Sequence, residues 1–242
     1  MIRASRPPTV AASALRGAAT VILLFAAGAV VLAVTGFVRE TRRIEEETRL
    51  LAAAAATDVD RYVQSQFTAL RALAASDVVL ELDLAGMEAL LDRAGPATLG
   101  FDGGIFWVDA GGVMRVRSAY DGPSLDFSGR DYVRVALDTG EPYVGSARIG
   151  AINQAPVVAL SIPTRDAAGA VTGVLAGAFR LDDGNSGMDS LRFAGATEIE
   201  IVDRLGQIVV GPEPMDELRL ADAGLDVDAL QRERGGVRVG VV

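Results

Sequence analysis

The sequence contains no cysteine, no histidine and no lysine, so all 23 of its basic residues are arginine. Without cysteine there is no thiol nucleophile and no disulfide framework, and without histidine there is no imidazole base. The nitrogen and sulfur ligands of most zinc sites are missing as well. Among the carboxylates, hydroxyls, tyrosines and arginines that remain, no nucleophile motif or phosphate loop occurs. We therefore expect no enzyme, no metal site and no cofactor.

About half of the residues are apolar, 27 are glycine, and the formal net charge is −9. This composition is typical of a chain that folds around a core, not of a disordered one. The excess of acidic groups repels phosphate backbones, so it argues against nucleic acid as a partner.

The longest stretch without a charged side chain is residues 17–38, which read GAATVILLFAAGAVVLAVTGFV. As a helix, this stretch is long enough to cross a hydrocarbon core of about 30 Å. A cleaved signal peptide is the alternative, although its apolar part usually has about 7 to 15 residues. Three arginines lie on each side, so charge does not set the orientation. Because residues 1–16 form only a short tail, we expect that tail in the cytoplasm and the bulk of the chain outside the inner membrane.

Residues 39–79 contain neither glycine nor proline and are rich in good helix formers, which predicts a stalk helix. Apolar residues recur along one face of that helix. They are Ile44, Leu51, Ala55, Val59, Val63, Phe67, Leu70 and Ala74. Either the following domain packs along this face or a second copy of the chain does, and the near-heptad spacing suits a parallel homodimer.

The pattern after the stalk is mixed. A short helix is predicted at Met87–Arg93, and residues 103–120 alternate around a D-A-G-G turn as in a β-hairpin, with Trp107 in its apolar part. The run SGRDYVRVALDTG then has the pattern of a helix, with Ser128 as candidate N-cap and Gly140 as its end.

Three further strands follow this helix: EPYVGSARIG, APVVALSIPTR and AVTGVLAGAFRL, the last two joined by a turn at residues 166–169. Residues 80–183 are therefore predicted to form an α+β module, in which five antiparallel strands carry helices on one face. The adjacent acids Asp182 and Asp183 fit a helix N-cap better than a metal site, because neighbouring side chains point in different directions.

A weak internal repeat indicates a second module. Residues 108–116 read VDAGGVMRV and residues 202–210 read VDRLGQIVV, each with an acid that opens the turn. Residues 184–242 are then a linker and part of a second module, which is either degenerate or continues beyond Val242.

Two runs, GRDYVRVALDTGEPYVG and PVVALSIPTRDAAGAVTGVLAGAFRL, resemble the membrane-distal module of double Cache domains, the PAS-like extracytoplasmic sensors of bacterial receptors. The order of anchor, stalk, distal module and smaller proximal module is similar too. The resemblance implies a small-molecule ligand in the distal module. It also implies a kinase, cyclase or chemotaxis output, which this chain does not contain.

Five residues are candidates for ligand binding. Arg130 is the first, because a guanidinium at a helix start can hold a carboxylate by two parallel hydrogen bonds. Its alternative is a salt bridge to Asp126, Asp131 or another acid. Tyr132 is either a ligand contact or a core residue. The remaining candidates lie near the ends of elements that should converge on the same cleft: Tyr120, Asp126 and Tyr143.

The amino-acid-binding branch of the resembled family places two aromatics soon after the arginine and an acid on the last strand. This sequence has one of the two aromatics, Tyr132, followed by Val133, and it has Ala178 in place of the acid. A small carboxylate without an amine therefore suits it better. Arg148 is a candidate to replace or assist Arg130. The alternative function is a ligand-free structural or adaptor protein that dimerises through its stalk and binds a protein partner.

Overall fold

A computed structural model describes residues 10–95, 99–152, 154–181 and 201–210. The chain divides into two compact units, Met1–Leu50 with Val239–Val242 and Leu51–Arg238. Within the described ranges, no helix combines the length and the hydropathy of a membrane span, so the span predicted at residues 17–38 is not confirmed.

The first helix, α1, runs from Val10 to Ala74. It ends before residue 79, the predicted end of the stalk, because the Ser76 hydroxyl bonds to the carbonyl of Leu73 at 2.7 Å and the chain restarts as a short helix, α2, at Asp77–Leu80. The predicted apolar face is partly confirmed. Of the residues in the second unit, Phe67 and Leu70 are buried in the core, whereas Leu51 remains 53% exposed.

The third helix, α3, covers Leu84–Ala94 and so contains the predicted Met87–Arg93. It begins three residues earlier because the Asp83 carboxylate caps it, accepting a hydrogen bond from the backbone of Gly86 at 3.1 Å. It ends at Gly95, whose φ of 61° is the left-handed conformation common at helix ends.

Among the described residues, seven strands form one antiparallel sheet with the order β3-β2-β1-β7-β6-β4, and β5 also pairs with β6. The strand bounds are β1 Gly104–Asp109, β2 Val113–Arg117, β3 Leu125–Asp126, β4 Tyr143–Val144, β5 Arg148–Ile149, β6 Pro156–Arg165 and β7 Val171–Arg180. Both predicted hairpins are confirmed, β1 with β2 and β6 with β7.

The prediction of five strands was wrong in two places. Leu125–Asp126 adds an edge strand, β3, against β2. The single strand predicted at EPYVGSARIG is divided into β4 and β5, because two of the three intervening residues turn their amides away from the ladder. The Ser146 N–H bonds to Asp131 at 2.9 Å, and the Ala147 N–H bonds to Asp203 at 2.8 Å.

Helices cover both faces of the sheet, not one face as predicted. The first face packs against α1, α2 and α3 and holds Trp107, as expected of a core residue; its indole N–H donates to the Thr164 hydroxyl at 3.0 Å. The second face packs against α4, Asp131–Thr139. β1, β6 and β7 are buried on both sides, so their apolar residues run almost continuously and sequence alternation does not show which face a helix covers.

The N-cap of α4 is Arg130, so the prediction of Ser128 was wrong. Ser128 lies in the preceding turn, where its N–H bonds to the Asp126 carboxylate at 2.8 Å, and the Arg130 N–H closes that turn on the Phe127 carbonyl at 2.8 Å. Gly140 ends the helix as predicted, with a φ of 69°.

A second hairpin, β8 Ile201–Val202 with β9 Ile208–Val210, confirms the local repeat. In both turns the acid's Oδ1 accepts the N–H groups two and four residues later, at 3.0 Å for Asp109 and at 2.7 and 3.0 Å for Asp203. Asp166 makes the same turn between β6 and β7. The rest of the predicted second module, and Asp182 and Asp183, lie outside the described residues.

Candidate ligand-binding site

Small residues form the surface of the second face near the start of β6 and the end of β7. Gly104, Ala178 and Ala159 lie abreast on β1, β7 and β6, because Ala178 pairs with Gly104 on one side and with Ala159 on the other. We call this row the small-residue floor. Phe106, Phe127 and Tyr132 belong to the same buried cluster, with Phe106 edge-on to Phe127 at 5.4 Å between ring centroids.

Arg130 lies at the rim of this cluster and is half-buried. Its guanidinium is 5.6 Å from the centroid of the Phe127 ring, and its Nη1 donates to the carbonyl of Ile149 at 3.4 Å. Among the described residues, neither of the predicted acidic partners forms an ion pair with it. The Asp126 carboxylate accepts from Ser128 instead, and Asp131 accepts from Ser146. The guanidinium thus has donor capacity left for an anion.

Tyr132 is only 5% exposed, and burial raises the pKa of its hydroxyl to about 12. Its ring lies 6.1 Å from that of Phe106, and its backbone carbonyl accepts from the buried Ser161 hydroxyl at 2.7 Å. The ring is therefore a core element that fixes α4 on the sheet. The charges of Arg130, Arg148 and Asp131 all act on the hydroxyl, so it also lies among the candidate contacts.

Arg148 and Asp131 face each other beside this hydroxyl, with 3.7 Å between Arg148 Nη1 and Asp131 Oδ1. Within the part of the chain that the structure describes, both of these atoms and Arg148 Nε are buried without a hydrogen-bond partner. A buried polar atom left in this state costs about 1–3 kcal/mol. The pair therefore has hydrogen-bonding capacity that the protein itself does not use.

The other predicted residues divide between two environments. Tyr120 and Tyr143 pack on the second face at opposite edges of the cluster. The Tyr120 hydroxyl donates to the Pro123 carbonyl at 3.2 Å. Asp126 is exposed on the edge strand, where hydrogen bonds from Ser128 hold the pKa of its carboxyl below the usual value. The structure therefore brings the three tyrosines and Arg130 to one face and leaves Asp126 facing solvent.

Arg117 is half-buried on the second face, although no sequence pattern marks it as a site residue. Its Nη2 donates to the Gly103 carbonyl at 2.8 Å, its guanidinium lies 5.5 Å from the Tyr120 ring, and burial lowers its pKa. Strand alternation alone does not distinguish it from Arg115. The two arginines have different surroundings because the β1–β2 pairing contains a bulge between Trp107 and Val108. Arg117 pairs with Phe106, whereas Arg115 binds Asp109 at 2.6 Å.

The turn of the second hairpin is bound to the segment between β4 and β5. Asp203 Oδ2 accepts from the Ala147 N–H at 2.8 Å, the Arg204 guanidinium stacks 4.2 Å from the centroid of the Tyr143 ring, and it donates to the Val144 carbonyl. The neighbouring Ser146 is bound to Asp131 at the start of α4. One short segment thus contacts both the candidate site and the second hairpin.

No protein-family model matches the sequence, and no curated protein matches it either. Solved structures do match the fold. The amino acid chemoreceptor ligand-binding domain PctC of Pseudomonas aeruginosa, solved with GABA, has a TM-score of 0.53 at 20% identity, over 70% of this chain and 78% of that one.

Two other chemoreceptor ligand-binding domains match similarly. That of Tlp3 from Campylobacter jejuni, solved with L-valine, has a TM-score of 0.52 at 15% identity over 74% of this chain and 73% of its own. That of CtaA from Pseudomonas fluorescens, solved with L-serine, has a TM-score of 0.53 at 17% identity over 68% and 72%.

The chain therefore has the fold of Cache-type ligand-binding domains, which confirms the resemblance at the level of the fold. The three similar structures are ligand-binding domains of chemoreceptors.

Proposed function

We propose that this chain is the sensing portion of a membrane-anchored receptor, whose module at residues 80–183 binds a small carboxylate at Arg130. Residues 1–16 are the cytoplasmic tail, 17–38 the anchor, 39–79 the stalk, and 184–242 a linker and part of a membrane-proximal module. The module passes its signal to a kinase, a cyclase or a chemotaxis output.

One observation carries the ligand-binding proposal: Arg130 is half-buried over an aromatic ring and has no carboxylate partner among the described residues. Burying a cation without a counter-ion is unfavourable, and a ligand carboxylate would relieve this cost with charge-assisted hydrogen bonds. GABA, L-valine and L-serine, the ligands of the similar structures, each carry a carboxylate.

For the amine of such ligands, this chain has no acidic partner at position 178. Ala178, in the small-residue floor, is buried and offers no carboxylate to an ammonium group. A comparison of butyrate with GABA tests this point, because the two differ only by the amine. We expect butyrate to bind at least as tightly as GABA.

Ligand binding is tested by a thermal-shift screen of the full chain in detergent against small carboxylates, amines and sugars. A ligand at about 100 times its dissociation constant should add about 2.7 kcal/mol of stability. Arg130→Ala should abolish the response to carboxylates, while Arg134→Ala, an exposed position on the same helix, should retain it. A folded protein that responds to nothing in a broad panel favours the alternative, a ligand-free adaptor.

The anchor is supported by the sequence, since residues 17–38 carry no charge and suffice as a helix for about 30 Å of hydrocarbon. An alkaline wash of membranes from cells that express the full chain tests it. The protein should stay in the membrane fraction, and a variant lacking residues 17–38 should be released. Release of the full chain would overturn the anchor without affecting the ligand site.

A further inference from the structure

Arg117 leans over the small-residue floor. It pairs with Phe106 across β1 and β2, and the Phe106 ring belongs to the second-face cluster. The guanidinium can lie this close to the backbone of β1 only because Gly104 has no side chain. A Cβ atom there would come within 2.9 Å of Arg117 Nε.

The charges at this end of the second face do not balance. Asp131 lies opposite Arg148, and Asp102 interacts electrostatically with Arg180. Among the described residues, neither Arg117 nor Arg130 forms an ion pair with an acid. Two partly buried cations therefore have no counter-ion within the described ranges.

The backbone contacts of these two guanidinium groups lie on different strands. Arg117 lies against Gly104 on β1, whereas Arg130 bonds to Ile149 on β5. β7 and β6 separate β1 from β5, and neighbouring strands are about 4.8 Å apart, so the two contact points are separated by roughly 14 Å across the strands. A ligand with an acidic group at each end can reach both.

Building on the proposed function, we infer that the ligand is a dicarboxylate: Arg130 binds one carboxylate and Arg117 the other. The small-residue floor lies between the strands that the two arginines contact, and its side chains are no larger than a methyl group. Tyr120, which stacks on Arg117, holds the second guanidinium in place. Arg117 is then a specificity-determining residue that distinguishes dicarboxylates from monocarboxylates.

Titration calorimetry of the full chain with butyrate, glutarate and adipate tests this inference. Arg117→Met keeps the apolar stem of the side chain and removes its charge. It should weaken glutarate or adipate binding by about tenfold or more, the loss typical of a hydrogen bond to a charged group, and leave butyrate unchanged. Arg130→Met should weaken all three acids, and Arg134→Met should weaken none.

Each result has a distinct meaning. If Arg117→Met binds the dicarboxylates as tightly as the parent does, the second contact is wrong while the carboxylate site stands. If Arg117→Met weakens butyrate as much as glutarate, the effect is general and again overturns the specificity role. If the parent binds none of the acids, the proposed carboxylate site fails as well. Arg117→Gln and a circular dichroism spectrum of each variant separate a lost contact from a lost fold.

Discussion

The carboxylate of Asp203 holds the backbone N–H of Ala147 at 2.8 Å, joining the second hairpin to the segment between β4 and β5. Asp109, at the equivalent place in the first hairpin, uses its second oxygen for Arg115 instead. The two turns are thus built alike, and only the second one is attached to another part of the chain through that oxygen.

This attachment should be measurable as stability. Asn at position 203 keeps the Oδ1 acceptor of the turn but replaces the oxygen that holds Ala147 by an amide donor. We expect Asp203→Asn to destabilise the protein by about 1–3 kcal/mol, because the Ala147 N–H loses its partner. Denaturant unfolding gives the value.

Asp166→Asn is the matched control, since Asp166 forms the same turn with its Oδ1 alone. It should cost clearly less than Asp203→Asn. Equal losses in the two variants would mean that the contact with Ala147 contributes nothing beyond the turn.

Gly140 should not tolerate a side chain. Its φ of 69° is unfavourable for other residues, and an added Cβ would meet Arg165 Nη2 at 2.6 Å. We expect Gly140→Ala to lower the free energy of unfolding by about 1 kcal/mol or more.

Gly129→Ala is the control for this position, because a Cβ there meets no atom within 4 Å. Chemical denaturation of both variants makes the comparison. Similar losses at positions 129 and 140 would contradict the assigned role of Gly140 in ending α4.

The pH dependence of stability should reveal the buried tyrosines. Burial raises the pKa of Tyr132 and of Tyr62 to about 12, above the value of about 10 for an exposed phenol. The folded state therefore holds these protons more tightly than the unfolded state. The stability is fully present below pH 10 and is lost as the pH rises from about 10 to 12.

Absorbance of the phenolate group checks this prediction. Tyr132→Phe should remove one tyrosine from the group that titrates near pH 12 and make stability less sensitive to pH above 10. If the variant instead loses a tyrosine that titrates near pH 10, the Tyr132 hydroxyl is not buried.

The homodimer through the stalk remains a prediction that a single cysteine can test, since the chain has none of its own. Leu51 belongs to the predicted apolar face and is 53% exposed, so it has surface left for a partner. We expect Leu51→Cys to form a disulfide-linked dimer in membranes on oxidation. Ala53→Cys, roughly 200° around the helix, should not. Equal cross-linking at both positions would indicate random collision.

The sequence allowed prediction of those features that depend on local pattern. The hairpins, α4 and its end at Gly140 each combine periodic apolar residues with a turn residue, and all are confirmed. The Asp109 and Asp203 turns were recognisable because the acid and glycine of each turn occur at fixed spacing.

Other features depend on contacts between distant residues. The break between β4 and β5 follows from bonds to Asp131 and Asp203, which are 15 and 56 residues away from their partners. The exposure of Asp126 follows from its place on an edge strand. Arg117 lies on the second face because of a bulge in the β1–β2 pairing, and no residue type in the sequence predicts that bulge. Arg130 was predictable by type, but its lack of an acidic partner required the folded arrangement.

A crystal structure of the protein with a carboxylate found by the screen tests the central claim most directly. We predict carboxylate oxygens about 2.7–2.9 Å from the guanidinium nitrogens of Arg130, on the second face of the sheet. A groove of about 320 Å³ elsewhere, which Arg71 and Arg165 help to line, offers a rival location that none of the predicted site residues borders. A ligand bound in that groove, with Arg130 uncontacted, would contradict the account.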